Sequence, residues 1–406
     1  MSRFLFVVPP LVGHVNPTVG VAAELAARGH AVAWVCPDPE LVAGLVGRSA
    51  GPVYACGGAP AGERPADLRG PEALKFLWEW YLLPLAEAMA PGVRAAVEEF
   101  GPDVVVADQQ AFAGALVAER LGLPWATSAT TSAELTDPLA GLPKVRRWLD
   151  ERLTALRAAV GDPAGAADPR FSPHLVLAFS TPELAGGSPG TAGSGGVAGS
   201  SGDEGSGGSV CWVGPSVSAR PSAAGFPWEW LDAGRATVLV TLGTANADVG
   251  GRFLDVCRSA LRERADRVQG VIVDPGGTLG AREPDKDVLI VPSVPQLALL
   301  EKGVGAVVCH AGHNTVCEAL WHGIPLVVAP IRDDQPVVAG QVVDAGAGVR
   351  VRFGRVTAQR FGAALDFVLD DPGPRAAAVR IRTAFRAAGG ATAAAARLEA
   401  LAREFR

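Results

Sequence analysis

Short apolar runs recur along the chain, bounded by glycine, proline and polar residues and separated by stretches of helical periodicity. Residues 4–8 (FLFVV) are the first such run and read as a buried strand. A turn at 11–15 leads to Asn16-Pro17-Thr18. Asparagine is a preferred N-cap and proline is favoured at the first helical position, so the pattern predicts a helix opening there. It runs to about Arg28 and stops at Gly29, and residues 31–36 form the second strand. Strand, helix and strand in this order make a βαβ unit and predict a parallel, Rossmann-like sheet. Residues 104–107, ending at Asp108, together with 125–127 and 175–178, read as further strands, and 71–89 and 145–160 as helices.

The alternation breaks at 185–209, a Gly/Ser-rich stretch with almost no apolar residues. Such a segment buries too little surface to offset its ordering entropy, which predicts a mobile surface loop, read as a tolerated insertion rather than a functional lid. Val213-Gly214-Pro215 closes a first domain over 1–215, and 216–235, with Trp228 and Trp230, reads as a linker whose aromatics pack on both lobes. A strand ending in a Gly-Thr turn (VLVTLGT) opens a second domain over 236–406. There a helix near 252–265 and strands at 268–273, 288–291 and 304–308 continue the α/β pattern. The chain then turns through His310, Ala311 and Gly312 and enters a helix at Asn314. A strand over 326–329 follows, then a loop carrying Asp333, Asp334 and Gln335, with Ala- and Arg-rich helices from about Thr357. The halves echo one another: Gly13-His14, Asn16 and Thr18-Val19 precede a helix and strand, as do Gly312-His313-Asn314-Thr315-Val316. Two Rossmann-like α/β domains presenting loops and helix N-termini to a shared cleft fit this echo.

Composition narrows the function. At 406 residues and 49% hydrophobic, two cores are the expectation. A net charge of −6 gives no basic footprint, which argues against nucleic acid as a partner. Six scattered cysteines without paired spacing argue against a disulfide framework and for a reducing, cytoplasmic setting. Neither a signal peptide nor a stretch apolar enough to span a bilayer is evident, so no membrane insertion is expected. The sequence leaves the oligomeric state open, a homodimer included.

Two constellations carry chemistry. The turn before Asn314 joins a strand to a helix N-terminus, where unpaired N–H groups and the helix dipole attract anions; Gly312 lets a phosphate approach the backbone. The Asp-Asp-Gln loop after the next strand offers donors and acceptors for sugar hydroxyls. The competing readings are a plain helix cap at Asn314 and Thr315 and a solvated turn at 333–335. In the first half, His14 sits on the strand-to-helix turn and Asp108 ends a buried strand from which a carboxylate can reach it. A carboxylate on one ring nitrogen fixes the tautomer and leaves the other to take a proton. The bland alternatives are a loop-closing histidine and a capping aspartate. Cys309, His310, His313 and Cys317 include an i, i+4 pair, but the adjacent Cys309 and His310 diverge and a phosphate-type turn runs through the set, so no metal site is expected.

The stretch CHAGHNTVCEALWHGIPLVVAPIRDDQ from Cys309 to Gln335 resembles the donor signature of nucleotide-sugar glycosyltransferases of the GT-B fold, in the UDP-glucuronosyltransferase-like and macrolide glycosyltransferase group. The lead-in Val294-Pro295-Gln296 with Leu297, Leu299 and Leu300, the LVGHVNP turn and Leu242-Gly243-Thr244 are similar to further elements of that family, so the resemblance covers nearly the whole chain. It implies an inverting transferase in which His14, oriented by Asp108, deprotonates an acceptor hydroxyl that attacks the anomeric carbon. The donor site it implies comprises Gly243, Thr244, Ser293, Val294, Gln296, His310, Gly312, Asn314 and Thr315. Within that set His310 would contact the phosphates and neutralise leaving-group charge, while Asp334 and Gln335 would contact the sugar. The implied co-substrate is a UDP or TDP sugar, with no other cofactor and no metal, and the final helix would cross back to the first domain. Many members carry a tryptophan that stacks on the base where this chain has Ser293, which puts the base preference in doubt. The implied acceptor, a small apolar natural product such as a polyketide, macrolide or phenolic aglycone, would meet Trp78, Tyr81, Phe112 and Trp125, with Trp80 and Leu135 as further candidates; ordinary core packing is the alternative for these. A nucleotide-sugar epimerase and a non-catalytic nucleotide-sugar-binding helper are the rival functions.

Overall fold

Two wholly parallel sheets carry the fold of the computed structural model. It describes all residues except 48–50, 59–61, 63–64, 66–67, 69, 137–138, 140, 187–208, 219–224, 244–245, 247–248 and 281–284. The chain divides into two compact units: the second takes Ser222–Arg386 with the short Glu183–Gly186 segment, and the first takes the rest of the N-terminal part together with Ala387–Arg406.

The first unit contains β1 (Arg3–Val7), β2 (Ala31–Cys36), β3 (Val53–Ala55), β4 (Val104–Asp108), β5 (Trp125–Ala129), β6 (Leu175–Ala178) and β7 (Ser209–Trp212), in the order β3-β2-β1-β4-β5-β6-β7. Both faces of this sheet are covered, which is why β1 is apolar at every position after Arg3. Phe4 and Phe6 join Trp34, Val104 and Val106 in one cluster, while Leu5 and Val7 join Leu85, Met89 and Val105 on the other face. The second unit contains β8 (Ala236–Thr241), β9 (Val268–Val273), β10 (Val288–Val291), β11 (Ala306–Cys309), β12 (Leu326–Val328) and β13 (Gly348–Arg350), in the order β10-β9-β8-β11-β12-β13. Each sheet therefore has one point where strand order reverses, between β1 and β4 and between β8 and β11. Ligands of open α/β sheets bind outside the carboxyl ends of the strands at such points.

Three local departures from the sequence reading bear on the site. The first helix is Val12–Ala27, so it starts before Asn16, which lies inside it and is 9% exposed. Pro17 is accommodated within the helix, and His14 falls in its first turn. The expected 71–89 helix is instead Gly70–Phe76, a π-helical turn Leu77–Leu82, and a helix Leu83–Phe100. Pro84 has no N–H to donate and its ring would crowd the Trp80 carbonyl in a regular helix; the widened turn accommodates it. Residues 187–208 of the expected loop lie outside the described residues, while Pro182–Ala185 is a helical turn and Ser209 begins β7. Trp230 Nε1 donates to the Asp285 carbonyl and the Lys302 ammonium lies 5.8 Å from the Trp228 ring, so both tryptophans make contacts inside the second unit.

The last helix, Gly390–Glu404, packs beside Val12–Ala27 in the first unit, with Ala394, Leu398 and Leu401 in the same cluster as Val15 and Leu25. Glu399 accepts from Arg28 at 3.0 Å and pairs with His30 Nε2 at 2.8 Å. Among the described residues, no helix is long and apolar enough to cross a membrane.

Candidate active site

In the first unit, the first turn of the helix after β1 carries His14 and the end of β4 carries Asp108, one on each side of the strand reversal. His14 Nδ1 lies 2.9 Å from Asp108 Oδ1. The Asp108 side chain is wholly buried and that of His14 is 17% exposed. Burying a carboxylate is costly unless donors surround it. Here Oδ1 also accepts from the Gln110 N–H at 2.8 Å, and Oδ2 accepts from the Thr130 hydroxyl at 3.0 Å. Thr130 follows β5, and its Oγ1 is also 2.9 Å from His14 Nδ1. The sequence reading missed Thr130. Only the strand register, which sets Asp108 opposite Ser128, brings residue 130 to this end of the sheet.

The second unit repeats the arrangement with different chemistry. Gly243 follows β8, and His310 and Gly312 follow β11, flanking the second reversal. Thr244 lies outside the described residues. A Cβ on Gly312 would sit 2.3 Å from His310 Nε2, and one on Gly243, whose φ is +69°, would sit 2.9 Å from Cε1. The two glycines thus make the slot that the imidazole fills. Desolvation, opposed by a hydrogen bond to the Thr241 backbone and aided by the Arg332 guanidinium, lowers the His310 pKa to about 4. The ring is therefore neutral at pH 7, and the charge neutralisation expected of it gives way to hydrogen bonding as its available chemistry. Its Nδ1 is buried without a hydrogen-bond partner among the described residues. Gly312 occupies the N-cap of the His313–Trp321 helix and no side chain caps it; Asn314 and Thr315, half-buried in the first turn, are not its caps.

Asp334 is half-buried at the N-cap of the Gln335–Asp344 helix and offers no capping bond. Gln335 is buried, and its Oε1 accepts from the Ile331 and Arg332 N–H groups at 2.9 and 3.1 Å, tying the loop before it. Arg332 Nε donates to Asn246 Oδ1 at 3.0 Å, linking this loop to the segment after β8. Ser293 is exposed and Val294 half-buried. Gln296 Nε2 donates to Glu318 Oε2 at 2.6 Å. Glu318 was not singled out from the sequence. Its signal was a carboxylate on the apolar side of a helix, where it is only 6% exposed. Among the described residues, Ala311 (φ 66°) and Asp333 (φ 57°) are the two non-glycine residues in the left-handed region. Both fall between Cys309 and Gln335, and backbone strain of this kind concentrates at functional sites.

Of the proposed acceptor aromatics, Trp78, Phe112 and Trp125 are 4%, 1% and 3% exposed. Trp78 and Phe112 stack at 5.4 Å within one cluster and Trp125 belongs to another, so core packing accounts for all three. Tyr81 is half-buried with a hydroxyl that has no hydrogen-bond partner among the described residues, its pKa pushed up to about 12 by burial and the nearby Cys36 and Asp108. Trp80 is 68% exposed and stacks on Phe76 at 6.1 Å, while Leu135 is half-buried in the Ala133–Thr136 turn. Burial pushes the Cys309 thiol up to about 12 and Cys317 higher still, and His313 Nε2 lies 3.4 Å from Cys317 Sγ. Among the described residues no group of three or more His, Cys, Asp or Glu could hold a metal ion.

The family model for UDP-glucoronosyl and UDP-glucosyl transferase matches residues 236–385, and that for a glycosyl transferase 4-like domain matches residues 13–161. The chain is 30% identical to 4'-demethylrebeccamycin synthase of Lentzea aerocolonigenes, over 95% of this chain and 96% of that protein. It is also 30% identical to demethyllactenocin mycarosyltransferase of Streptomyces fradiae, over 99% of this chain and 87% of that protein. The solved glycotransferase of kitacinnamycin superposes with a TM-score of 0.77 at 24% identity, covering 98% of both chains. Spinosyn rhamnosyltransferase SpnG complexed with thymidine diphosphate superposes with a TM-score of 0.72 at 24% identity, covering 98% of this chain and 100% of that one.

Proposed function

The chain belongs to the GT-B nucleotide-sugar glycosyltransferases related to those of bacterial antibiotic biosynthesis, and from that premise we propose an inverting transfer from a UDP or TDP sugar to a hydroxyl of a small apolar natural product. The observation that carries the proposal is the 2.9 Å contact between His14 and a wholly buried Asp108 beside the strand reversal of the first unit. With Nδ1 engaged by the carboxylate, Nε2 takes the proton of the acceptor hydroxyl as its oxygen attacks the anomeric carbon. The bond from that carbon to the diphosphate breaks, and the electron pair leaves with the diphosphate. Attack from the face opposite the leaving group inverts the centre. General-base assistance is worth about 10²–10⁴-fold.

The second unit holds the donor in this reading. The first-turn N–H groups of the His313–Trp321 helix and its dipole favour the diphosphate, with Gly243, Asn314 and Thr315 beside it. Neutral His310 donates a hydrogen bond to a phosphate oxygen without bringing a charge. Glu318 and Gln296 suit the vicinal hydroxyls of a ribose, as acidic residues do in other nucleotide sites. Asp334 accepts from sugar hydroxyls, and Gln335, with Oε1 engaged in its own loop, donates through Nε2. Ser293 and Val294 line the base end. The names of 4'-demethylrebeccamycin synthase and demethyllactenocin mycarosyltransferase, by what they say is made or transferred, support a natural-product acceptor.

His14→Ala is expected to lose transfer by at least about 100-fold, while calorimetric binding of UDP or TDP survives. Full transfer by that variant would remove His14 from the mechanism. Activity is expected to persist in excess chelator; a loss reversed by one added metal would overturn the metal-independent reading.

A further inference from the structure

We propose that Thr130 is a positioning residue of the transfer reaction, closing a hydrogen-bonded ring with His14 and Asp108 that holds the imidazole in its Nδ1–H tautomer. The proposal rests on the reading of His14 as the base. Thr130 is 4% exposed, and its Oγ1 lies 3.0 Å from Asp108 Oδ2 and 2.9 Å from His14 Nδ1. A hydroxyl has one proton to donate, and an ionised carboxylate can only accept. The Thr130 proton therefore goes to Asp108 Oδ2, and Oγ1 presents a lone pair to the imidazole. Asp108 Oδ1, 2.9 Å from Nδ1, presents another. Two acceptors facing one nitrogen are consistent only with a proton on that nitrogen, so the ring selects Nδ1–H and makes Nε2 the acceptor.

Thr130 contributes what Asp108 cannot supply alone. Gln110 and His14 engage Oδ1, and Thr130 engages Oδ2, so the hydroxyl sets the rotation of the carboxylate and satisfies its buried second oxygen. The β-branched side chain has few χ1 options, so its hydroxyl direction follows from the backbone at the end of β5. No bond to Thr130 forms or breaks. The substrate proton arrives at Nε2, Nδ1 keeps its own, and the resulting imidazolium faces the ring that oriented it.

Thr130→Val keeps the shape and removes the hydroxyl, whereas Thr130→Ser keeps the hydroxyl. The expected result for valine is a fall in kcat of about 10-fold or more, the scale of a lost hydrogen bond to a charged group, with KM for the donor unchanged. Serine should return kcat to within about threefold of wild type. The tautomer is read directly from imidazole ¹⁵N shifts; with six histidines, the His14 signals are identified by difference from His14→Ala. Wild type should hold the Nδ1–H form and Thr130→Val a mixture. Thr130→Ala takes the place of the valine variant if valine does not fold. The assignment falls if the valine variant stays within threefold of wild type, if serine fails to restore kcat, or if the His14 tautomer is unmoved. Full transfer by His14→Ala would instead remove the base reading beneath it, so the two failures are separable.

Discussion

At the scale of single residues, the second unit's site depends on what two glycines leave out. A methyl at Gly312 would overlap the His310 ring at 2.3 Å, and one at Gly243 would crowd the same Cε1–Nε2 edge at 2.9 Å. Gly312→Ala is therefore expected to cost about 1–3 kcal/mol by overpacking and to weaken diphosphate binding by at least about 10-fold, measured by chemical denaturation and calorimetry on one sample. Donor affinity equal to wild type would separate the His310 slot from the donor site. The same burial gives His310 a signature in pH. Its folded pKa is lowered from an ordinary value of 6.5 to about 4. Between those values the unfolded chain binds a proton that the folded chain refuses, so stability is full above pH 6.5, falls as pH drops toward 4, and levels off below. The span is on the order of 3 kcal/mol. Urea unfolding at pH 7 and pH 4.5 should show that slope in wild type and a shallower one in His310→Gln; equal slopes would mean that His310 titrates normally.

At the scale of elements, legibility followed burial. β2, β6 and β9 lie where the apolar runs put them, because a parallel strand covered on both faces reads as an apolar stretch, and the half-buried edge strand β10 is legible because VLIV is apolar throughout. β3, β7 and β13 escaped notice: each is an edge strand of three or four residues, and VYA or GVR carries no periodicity. The Asn16-Pro17 pair looked like a helix start because cap preferences are local, yet packing of Val15 into the core carries the helix back to Val12. His14 and Asp108 were legible from their places at strand ends. Thr130 was not, since its role depends on a register between strands that no local pattern encodes. The π-helical turn illustrates the same limit. An aromatic run beside a proposed acceptor wall gave no way to tell a cleft from a core, and the structure turns Trp78 inward onto Phe112. Trp78→Ala is expected to destabilise the protein by about 3–5 kcal/mol, read by denaturant unfolding. A stable Trp78→Ala variant with a raised acceptor KM would return that residue to the acceptor site.

At the scale of the whole molecule, residues 387–406 return to the unit that contains β1. The Gly390–Glu404 helix contributes Ala394, Ala395, Leu398, Leu401 and Ala402 to the cluster that holds Phe4, Phe6 and Leu25, and its Glu399 pairs with Arg28 and His30. The ion pairs are partly exposed and contribute little; the apolar face is what the first unit would miss. Removing residues 390–406 would uncover one face of the first sheet along the helix that carries His14. The second unit, by contrast, contains β8 to β13, the His310 slot and the Gln296–Glu318 pair within Ser222–Arg386. A chain lacking 390–406 should therefore lose the first unit's melting transition and all transfer, yet keep the second unit's transition and its heat of UDP or TDP binding. Scanning calorimetry with and without nucleotide reads both. Were nucleotide binding lost along with the first transition, the second unit would not hold the donor by itself, and the assignment of donor binding to Gly243, His310 and Gly312 would have to give way to one that needs both units folded.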